Sequence, residues 1–191
     1  MDQLRIYFHF RSPYSRLGLH RIAEVASGDR FEVKLVPFTR PAGGAEFLNP
    51  TDSMPKLRYI MEDAPRMSAH LGIAYATPKP MEVDYGPALD AFYVARAEGL
   101  SLPFALAVSD ARWGEGKDIS DPELLSLIAA DVGVKGDITA APSPDELASD
   151  EEIIDSDGVF GVPFAALHPE GKRKQRFWGQ DRFELLVQLL D

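Results

Sequence analysis

The chain has 191 residues, 45% of them hydrophobic, and no cysteine. Without cysteine it can form neither a disulfide nor a cysteine-ligated metal site, and it has no thiol nucleophile. Any thiol chemistry must therefore come from a bound small molecule. The formal net charge of -10 disfavours nucleic acid and anionic membranes as principal partners, because both attract clustered lysine and arginine.

The sequence also lacks the marks of export and of metal binding. Its start has no basic segment followed by a long apolar one, and no apolar stretch approaches the roughly 18 residues of a membrane-spanning helix. The four histidines show no metal-ligand spacing. We therefore expect a cytoplasmic protein without a metal site.

The N-terminal segment predicts a strand, a tight turn and a helix. Apolar residues alternate with polar ones from Leu4 to Phe10, which is the period of a strand. Ser12 and Pro13 then offer an N-cap and a first-turn proline for a helix. A second alternating stretch begins at Phe31, so the segment predicts a βαβ unit with parallel strands.

The middle of the chain predicts helices only. Between residues 41 and 155, apolar residues recur at helical spacing in stretches that proline and glycine separate. The last stretch holds seven carboxylates and no basic residue between Asp145 and Asp157, and we expect it to be a solvated helix face. The predicted helices cover residues 56–71, 88–98, 103–113, 123–130 and 143–155.

The C-terminal segment returns to strands. Residues 164–168 and 175–178 are typical of two short strands around a polar turn, and 180–190 of an amphipathic helix. A βαβ half, a helical insertion and a ββα half predict an α/β protein with a thioredoxin-like fold and an inserted all-helical domain. The predicted domains are 1–40 with 156–191 for the thioredoxin-like part and 41–155 for the insertion.

The first candidate site is Ser12 in Ser-Pro-Tyr-Ser, at the predicted strand-to-helix turn. A helix N-terminus stabilises an anion such as a thiolate, and a serine hydroxyl there can donate a hydrogen bond to it. The spacing is that of Cys-Pro-x-Cys in thioredoxin-like oxidoreductases, with serine at both cysteine positions. The alternative is that Ser12 only caps the helix. A role as an acylating nucleophile is disfavoured, because no Gly-x-Ser-x-Gly motif surrounds it.

Two further candidates lie in the C-terminal segment. Val162-Pro163 places a proline at the start of a strand. A cis peptide bond there would leave the Val162 backbone available to a ligand. The alternative is an ordinary trans proline at the strand start. Gln180 and Asp181 precede the last helix. Asp181 can either bind an ammonium group or cap that helix.

Taken together, these motifs resemble those of the 2-hydroxychromene-2-carboxylate isomerases and the related kappa-class glutathione transferases, in the DsbA-like branch of the thioredoxin fold. A Lys-x-x-Tyr-x-x-x-Asp-x-x-Arg stretch adds to the resemblance, which covers nearly the whole chain. The motifs that carry it are residues 8–15, Lys56 with Tyr59, Asp63 and Arg66, residues 158–163, and residues 177–182.

The resemblance implies glutathione as the cofactor. Ser12 would hydrogen-bond the glutathione sulfur, and the Val162 backbone, before a cis Pro163, would pair with the cysteinyl backbone. Gln180 and Asp181 would hold the γ-glutamyl end.

The substrate side departs from the family pattern. Asn49 corresponds to the family asparagine that faces the substrate, but Leu48 stands where the family usually has glycine. Residues 164–166 also differ from the Thr-Phe that often follows the proline. These departures affect the identity of the substrate more than glutathione binding.

The resemblance implies a glutathione-dependent isomerase that acts on an aromatic-degradation intermediate such as 2-hydroxychromene-2-carboxylate. The thiolate would add reversibly to an aromatic-derived oxo acid, so the partner is a small molecule, and the protein would be a homodimer. Two alternatives stay open. One is a kappa-class-like transferase that conjugates glutathione irreversibly, and the other is a non-catalytic DsbA-like binding module.

Overall fold

The computed structural model describes residues 2–26, 31–47 and 52–190. The chain divides into two compact units, one of Met1–Ala45 with Pro142–Asp191 and the other of Glu46–Ala141. The boundaries predicted from the sequence lie after residues 40 and 155 instead. The structure therefore groups the last of the predicted middle helices with the sheet.

The described residues form four strands and seven α-helices. The strands are β1 (Asp2–Phe8), β2 (Phe31–Pro37), β3 (Phe164–His168) and β4 (Gln175–Trp178). The helices are α1 (Pro13–Val25), α2 (Met54–His70), α3 (Gly86–Ala97), α4 (Ser101–Trp113), α5 (Pro122–Val132), α6 (Pro144–Asp157) and α7 (Phe183–Leu190). Short 3-10 turns cover Ala42–Gly44 and Gln180–Arg182.

The first unit is built on one sheet with the strand order β2-β1-β3-β4. β1 and β2 are parallel, whereas β1 with β3 and β3 with β4 are antiparallel. The connection through α1 joins the parallel pair. This arrangement confirms the predicted βαβ and ββα halves of a thioredoxin-like α/β fold.

Helix α6 begins at a capping box, in which the Ser143 side chain accepts from the Glu146 N–H and the Glu146 carboxylate accepts from the Ser143 N–H. It packs on one face of the sheet through Ile154, which is fully buried. Burial of each large apolar side chain in this layer contributes about 1.5 to 3 kcal/mol. The buried cluster contains Tyr7, Val36, Phe38, Ile154, Val159, Phe164 and Ala166.

The Asp157 carboxylate at the end of α6 is completely buried. It accepts a hydrogen bond from the Tyr7 hydroxyl and lies 3.0 Å from His168 Nε2. Arg5 Nη1 and Lys174 Nζ each approach it to 3.3 Å. Burial alone would raise the pKa of Asp157, but the Tyr7 and His168 hydrogen bonds and the neighbouring positive charges outweigh it and lower that pKa. The prediction of a solvated acidic face is thus wrong for Asp157, and also for Asp150, which is 1% exposed.

A second carboxylate of α6 holds the chain that follows β2. Asp155 accepts two hydrogen bonds of 2.8 Å from the Arg40 guanidinium and a third of 2.8 Å from the Gly43 N–H. The Arg40 hydrogen bonds, with the one from Gly43, lower the pKa of Asp155 to about 2.

The second unit consists of α2 to α5. Its interior includes the completely buried Arg112 of α4. The Arg112 guanidinium donates to the carbonyl oxygens of Pro80 at 2.8 Å and Met81 at 2.7 Å. Nη1 also donates to the Lys117 carbonyl at 3.2 Å, so both terminal nitrogens have partners, as a buried charge requires, whereas Nε has none among the described residues. Among the described residues, none of the helices is long and apolar enough to cross a bilayer.

Candidate functional site

Ser12 is the N-cap of α1. Its backbone is extended (φ -95°, ψ 114°), its Oγ accepts a hydrogen bond of 3.1 Å from the Ser15 N–H, and Pro13 follows at the first helical position. Within the described parts of the chain, the hydroxyl proton of Ser12 has no acceptor. Capping uses only a lone pair of the hydroxyl, so the same oxygen can cap the helix and donate to an anion.

The second serine of Ser-Pro-Tyr-Ser has a different environment. Ser15 is 1% exposed, and its Oγ accepts from the His9 N–H at 3.3 Å. The Ser12 N–H donates to the His9 carbonyl at 3.0 Å and closes the same turn. Ser15 therefore holds the turn between β1 and α1, and Ser12, which is half-buried, is the serine that a ligand can reach.

The Val162–Pro163 peptide bond is cis, as the family resemblance implied. The Pro163 carbonyl accepts a hydrogen bond of 3.0 Å from the Gly179 N–H. In the part of the chain that the structure describes, neither the N–H nor the carbonyl of Val162 has a hydrogen-bond partner. These two groups form a free edge with which an extended ligand backbone can pair.

Gly18 brings α1 against this cis-proline loop. A Cβ on Gly18 would lie 3.2 Å from the Pro163 Cβ and 2.9 Å from the ring of Phe183 in α7. Ser12 lies six residues before Gly18, about 9 Å along a helix axis. The helix that carries Ser12 is therefore in direct contact with both the loop and α7. Sequence reasoning missed Gly18, although a glycine between two leucines in a helical pattern indicates a close approach.

We expect Gly18→Ala and Gly18→Val to destabilise the protein by about 1 to 3 kcal/mol, with the larger loss for valine. Alanine is favoured over glycine inside a helix by about 1 kcal/mol, so helix propensity alone would predict that Gly18→Ala stabilises the protein. Urea unfolding of the two variants measures the difference. A stabilised Gly18→Ala variant would show that Pro163 and Phe183 leave room for a methyl group at this position.

Gln180 and Asp181 lie in the 3-10 turn before α7, and this turn packs against α1. Gln180 is 8% exposed, and its side-chain amide has no partner among the described residues. Asp181 is exposed, and Arg182 Nη1 donates to its carboxylate at 3.0 Å. No backbone N–H of the described residues donates to the Asp181 carboxylate, so Asp181 does not act as a helix cap there.

The remaining predicted residues lie elsewhere in the chain. Asn49 and Leu48 fall outside the described residues. The Lys-x-x-Tyr-x-x-x-Asp-x-x-Arg stretch lies on α2 in the second unit, where Arg66 donates to Asp63 at 2.7 Å. The candidate site described in the first unit thus consists of Ser12, Val162, Pro163, Gln180 and Asp181.

An aromatic pair that the sequence analysis did not single out covers the cis-proline loop. The Phe160 and Trp178 rings have centroids 4.9 Å apart, and Phe160 also contacts Phe164 at 5.7 Å. A Cβ on Gly161 would lie 3.3 Å from Trp178 Nε1. The loop therefore lies close under the Trp178 indole.

A sheet of this order, a Ser-Pro-Tyr-Ser helix start and an adjacent cis-proline loop define a thioredoxin-fold protein with a helical unit inserted in the chain. The chain belongs to the family of DsbA-like thioredoxin domains, whose family model matches residues 3–191. A search of curated protein sequences finds no significant match.

Several solved structures share the fold. A 2-hydroxychromene-2-carboxylate isomerase is 22% identical with a TM-score of 0.79, over 98% of this chain and 94% of that one. A probable DsbA oxidoreductase from Streptomyces coelicolor is 20% identical with a TM-score of 0.72, over 100% of this chain and 88% of that one. The cytosolic disulfide reductase DsbM from Pseudomonas aeruginosa, solved with GSH, is 18% identical with a TM-score of 0.68, over 98% of each chain.

Proposed function

We propose that this protein is a glutathione-dependent isomerase that acts on an aromatic-degradation intermediate such as 2-hydroxychromene-2-carboxylate. The observation that carries the proposal is the Ser12 hydroxyl at the start of α1, whose proton has no acceptor in the described part of the chain, in a sequence without any cysteine. The fold likeness to a 2-hydroxychromene-2-carboxylate isomerase supports the reaction. The likeness to a reductase solved with GSH supports the cofactor.

The residues of the candidate site fit glutathione group by group. The Val162 N–H and carbonyl, which have no partner within residues 2–26, 31–47 and 52–190, would form two hydrogen bonds with the cysteinyl backbone. Asp181 would bind the γ-glutamyl ammonium group, and the Gln180 amide would bind the neighbouring carboxylate. The contact of Gly18 with Pro163 holds the Ser12 helix beside this backbone.

The chemistry at this site would depend on a stabilised anion. When bound, glutathione supplies a thiolate that adds reversibly to a conjugated carbon, so that rotation about a single bond replaces rotation about a double bond. Ser12 would donate its hydroxyl proton to the sulfur, and the positive end of the α1 dipole would lie beside it. Both effects would lower the pKa of the thiol from its ordinary value of about 8.5. Asn49 would face the substrate.

We expect purified protein to interconvert hydroxychromene carboxylate and its open-chain isomer with the total amount of reduced glutathione unchanged. Chromatography of substrate, product and glutathione measures this balance. Loss of one glutathione per turnover would identify a kappa-class-like transferase instead. No detectable binding of reduced glutathione by calorimetry would contradict both enzyme functions and favour a non-catalytic binding module.

We also propose a cytoplasmic location, because the cofactor must be in its reduced form, and a homodimer, as the family resemblance implies. The likeness to a cytosolic reductase supports the location. Light scattering of the purified protein tests the dimer directly, and a monomeric mass would contradict it.

A further inference from the structure

The segment 158–163, which we call the proline loop, carries the Val162 backbone and forms backbone hydrogen bonds with the described residues at its two ends. At its start, Val159 donates to the Ile154 carbonyl at 3.1 Å and accepts from the Ala42 N–H at 2.7 Å. At its end, the Pro163 carbonyl accepts from the Gly179 N–H. Val162 itself has no hydrogen bond to the described residues, and its side chain packs against the buried cluster that contains Tyr7 and Phe164. Its position therefore depends on that cluster and on these ends.

One buried side chain joins the two ends of the proline loop. Tyr7 donates its hydroxyl to Asp157, the residue directly before the loop. The Tyr7 ring packs edge-on against Phe164, the residue directly after the loop, with centroids 5.9 Å apart. A shift of Asp157 would therefore move Tyr7 and Phe164 with it, because closely packed interiors transmit strain.

The surroundings of Asp157 fix its position from several directions. Arg5 and Tyr7 reach it from β1, His168 from the end of β3, and Lys174 from the chain just before β4. Because the carboxylate is fully buried, it depends on these groups: Arg5 and Lys174 supply positive charge, and Tyr7 donates a hydrogen bond. It ties the end of α6 to three parts of the sheet.

We propose that Asp157 is a positioning residue for glutathione binding, which fixes both ends of the proline loop through Tyr7 and thereby the Val162 backbone. The inference rests on the proposed function. Asp157 would act on the peptide backbone of the ligand and not on its sulfur, which lies with Ser12. Affinity for the peptide and ionisation of the thiol should therefore respond separately.

The test compares Asp157→Asn, Tyr7→Phe and the double variant with the wild type. Calorimetry with S-methylglutathione measures backbone binding without a thiol, and titration of the ultraviolet thiolate absorbance measures the pKa of bound reduced glutathione. Tyr7→Phe keeps the ring on Phe164 and removes only the hydroxyl, so it provides a second variant if Asp157→Asn folds poorly. Asp150→Asn is the matched control, since Asp150 is another buried carboxylate of α6, 3.7 Å from Lys34 Nζ and outside the loop.

We expect Asp157→Asn to bind S-methylglutathione about tenfold more weakly, with Tyr7→Phe changed in the same direction. The double variant should be no weaker than the weaker single one, because both remove the same link. The thiol pKa should not change, and Asp150→Asn should bind as the wild type does. Wild-type affinity in both Asp157→Asn and Tyr7→Phe, or an equal loss in Asp150→Asn, would overturn the inference alone. A wild type that binds neither ligand would overturn the proposed function and the inference with it.

Discussion

Replacement of Ser12 by alanine should lower glutathione-dependent turnover by about 100-fold, the usual effect of removing one donor to a developing anion. The reason is that the Ser12 hydroxyl, at the start of α1, has no acceptor for its proton among the described residues. Without it, the pKa of the bound thiol should rise towards its ordinary value and less thiolate should be present near neutral pH. Steady-state kinetics and thiolate absorbance measure the two effects.

The alanine variant also loses the helix cap, which costs about 0.5 to 2 kcal/mol. Ser12→Gly separates the two roles, since glycine is tolerated as an N-cap at a cost of only a few tenths of a kcal/mol and has no hydroxyl. We expect Ser12→Gly to lose as much activity as Ser12→Ala but to keep nearly wild-type stability. Ser12→Thr, which retains the hydroxyl, should keep most of the activity. Undiminished turnover in Ser12→Gly would show that the hydroxyl does not act on the sulfur.

The sheet and the first helix could be predicted because their signals are local. Alternation from Leu4 to Phe10 and the Ser12-Pro13 pair determine a strand and a helix start without reference to distant residues. The strands Phe164–His168 and Gln175–Trp178 have the predicted bounds. Two bounds differ: β1 ends at Phe8, so that His9 and Phe10 lie in the turn before α1, and residues 180–182 form a 3-10 turn before α7.

The buried carboxylate of α6 could not be predicted in the same way. Asp157 stands in a run of acidic residues. Its partners are distant in the sequence, since Arg5 lies 152 residues before it and Tyr7 lies 150 residues before it. The sequence shows the charged residues but not which of their side chains are in contact in the folded protein. The same holds for the site, where the sequence identifies Ser12 and Val162 but cannot show that the Ser12 hydroxyl proton and the Val162 backbone groups have no partner among the described residues.

Acid should destabilise the wild type more steeply than it destabilises Asp157→Asn. Because the pKa of Asp157 is lowered in the folded state, the unfolded chain takes up the proton first as the pH falls. The stabilising contribution is complete above the unfolded value of about 3.9 and is lost as the pH drops through the folded pKa below it. Asp155, with its pKa lowered to about 2, extends the same loss to lower pH.

At neutral pH the Asp157→Asn variant should already be less stable by about 3 kcal/mol, the lower end of the cost of breaking a buried ion pair. The lower end applies because Arg5 and Lys174 are 19% and 35% exposed and can regain water. Urea unfolding between about pH 7 and about pH 3 should then show the two free energies of unfolding converging as the pH falls. Glu152→Gln, an exposed carboxylate of the same helix, should follow the wild type throughout. If the free energies of unfolding of wild type and Asp157→Asn ran parallel with pH, Asp157 would take up its proton equally in the folded and unfolded chains. The carboxylate charge, with its partners Tyr7, His168 and Arg5, would then not stabilise the junction of α6 with the sheet.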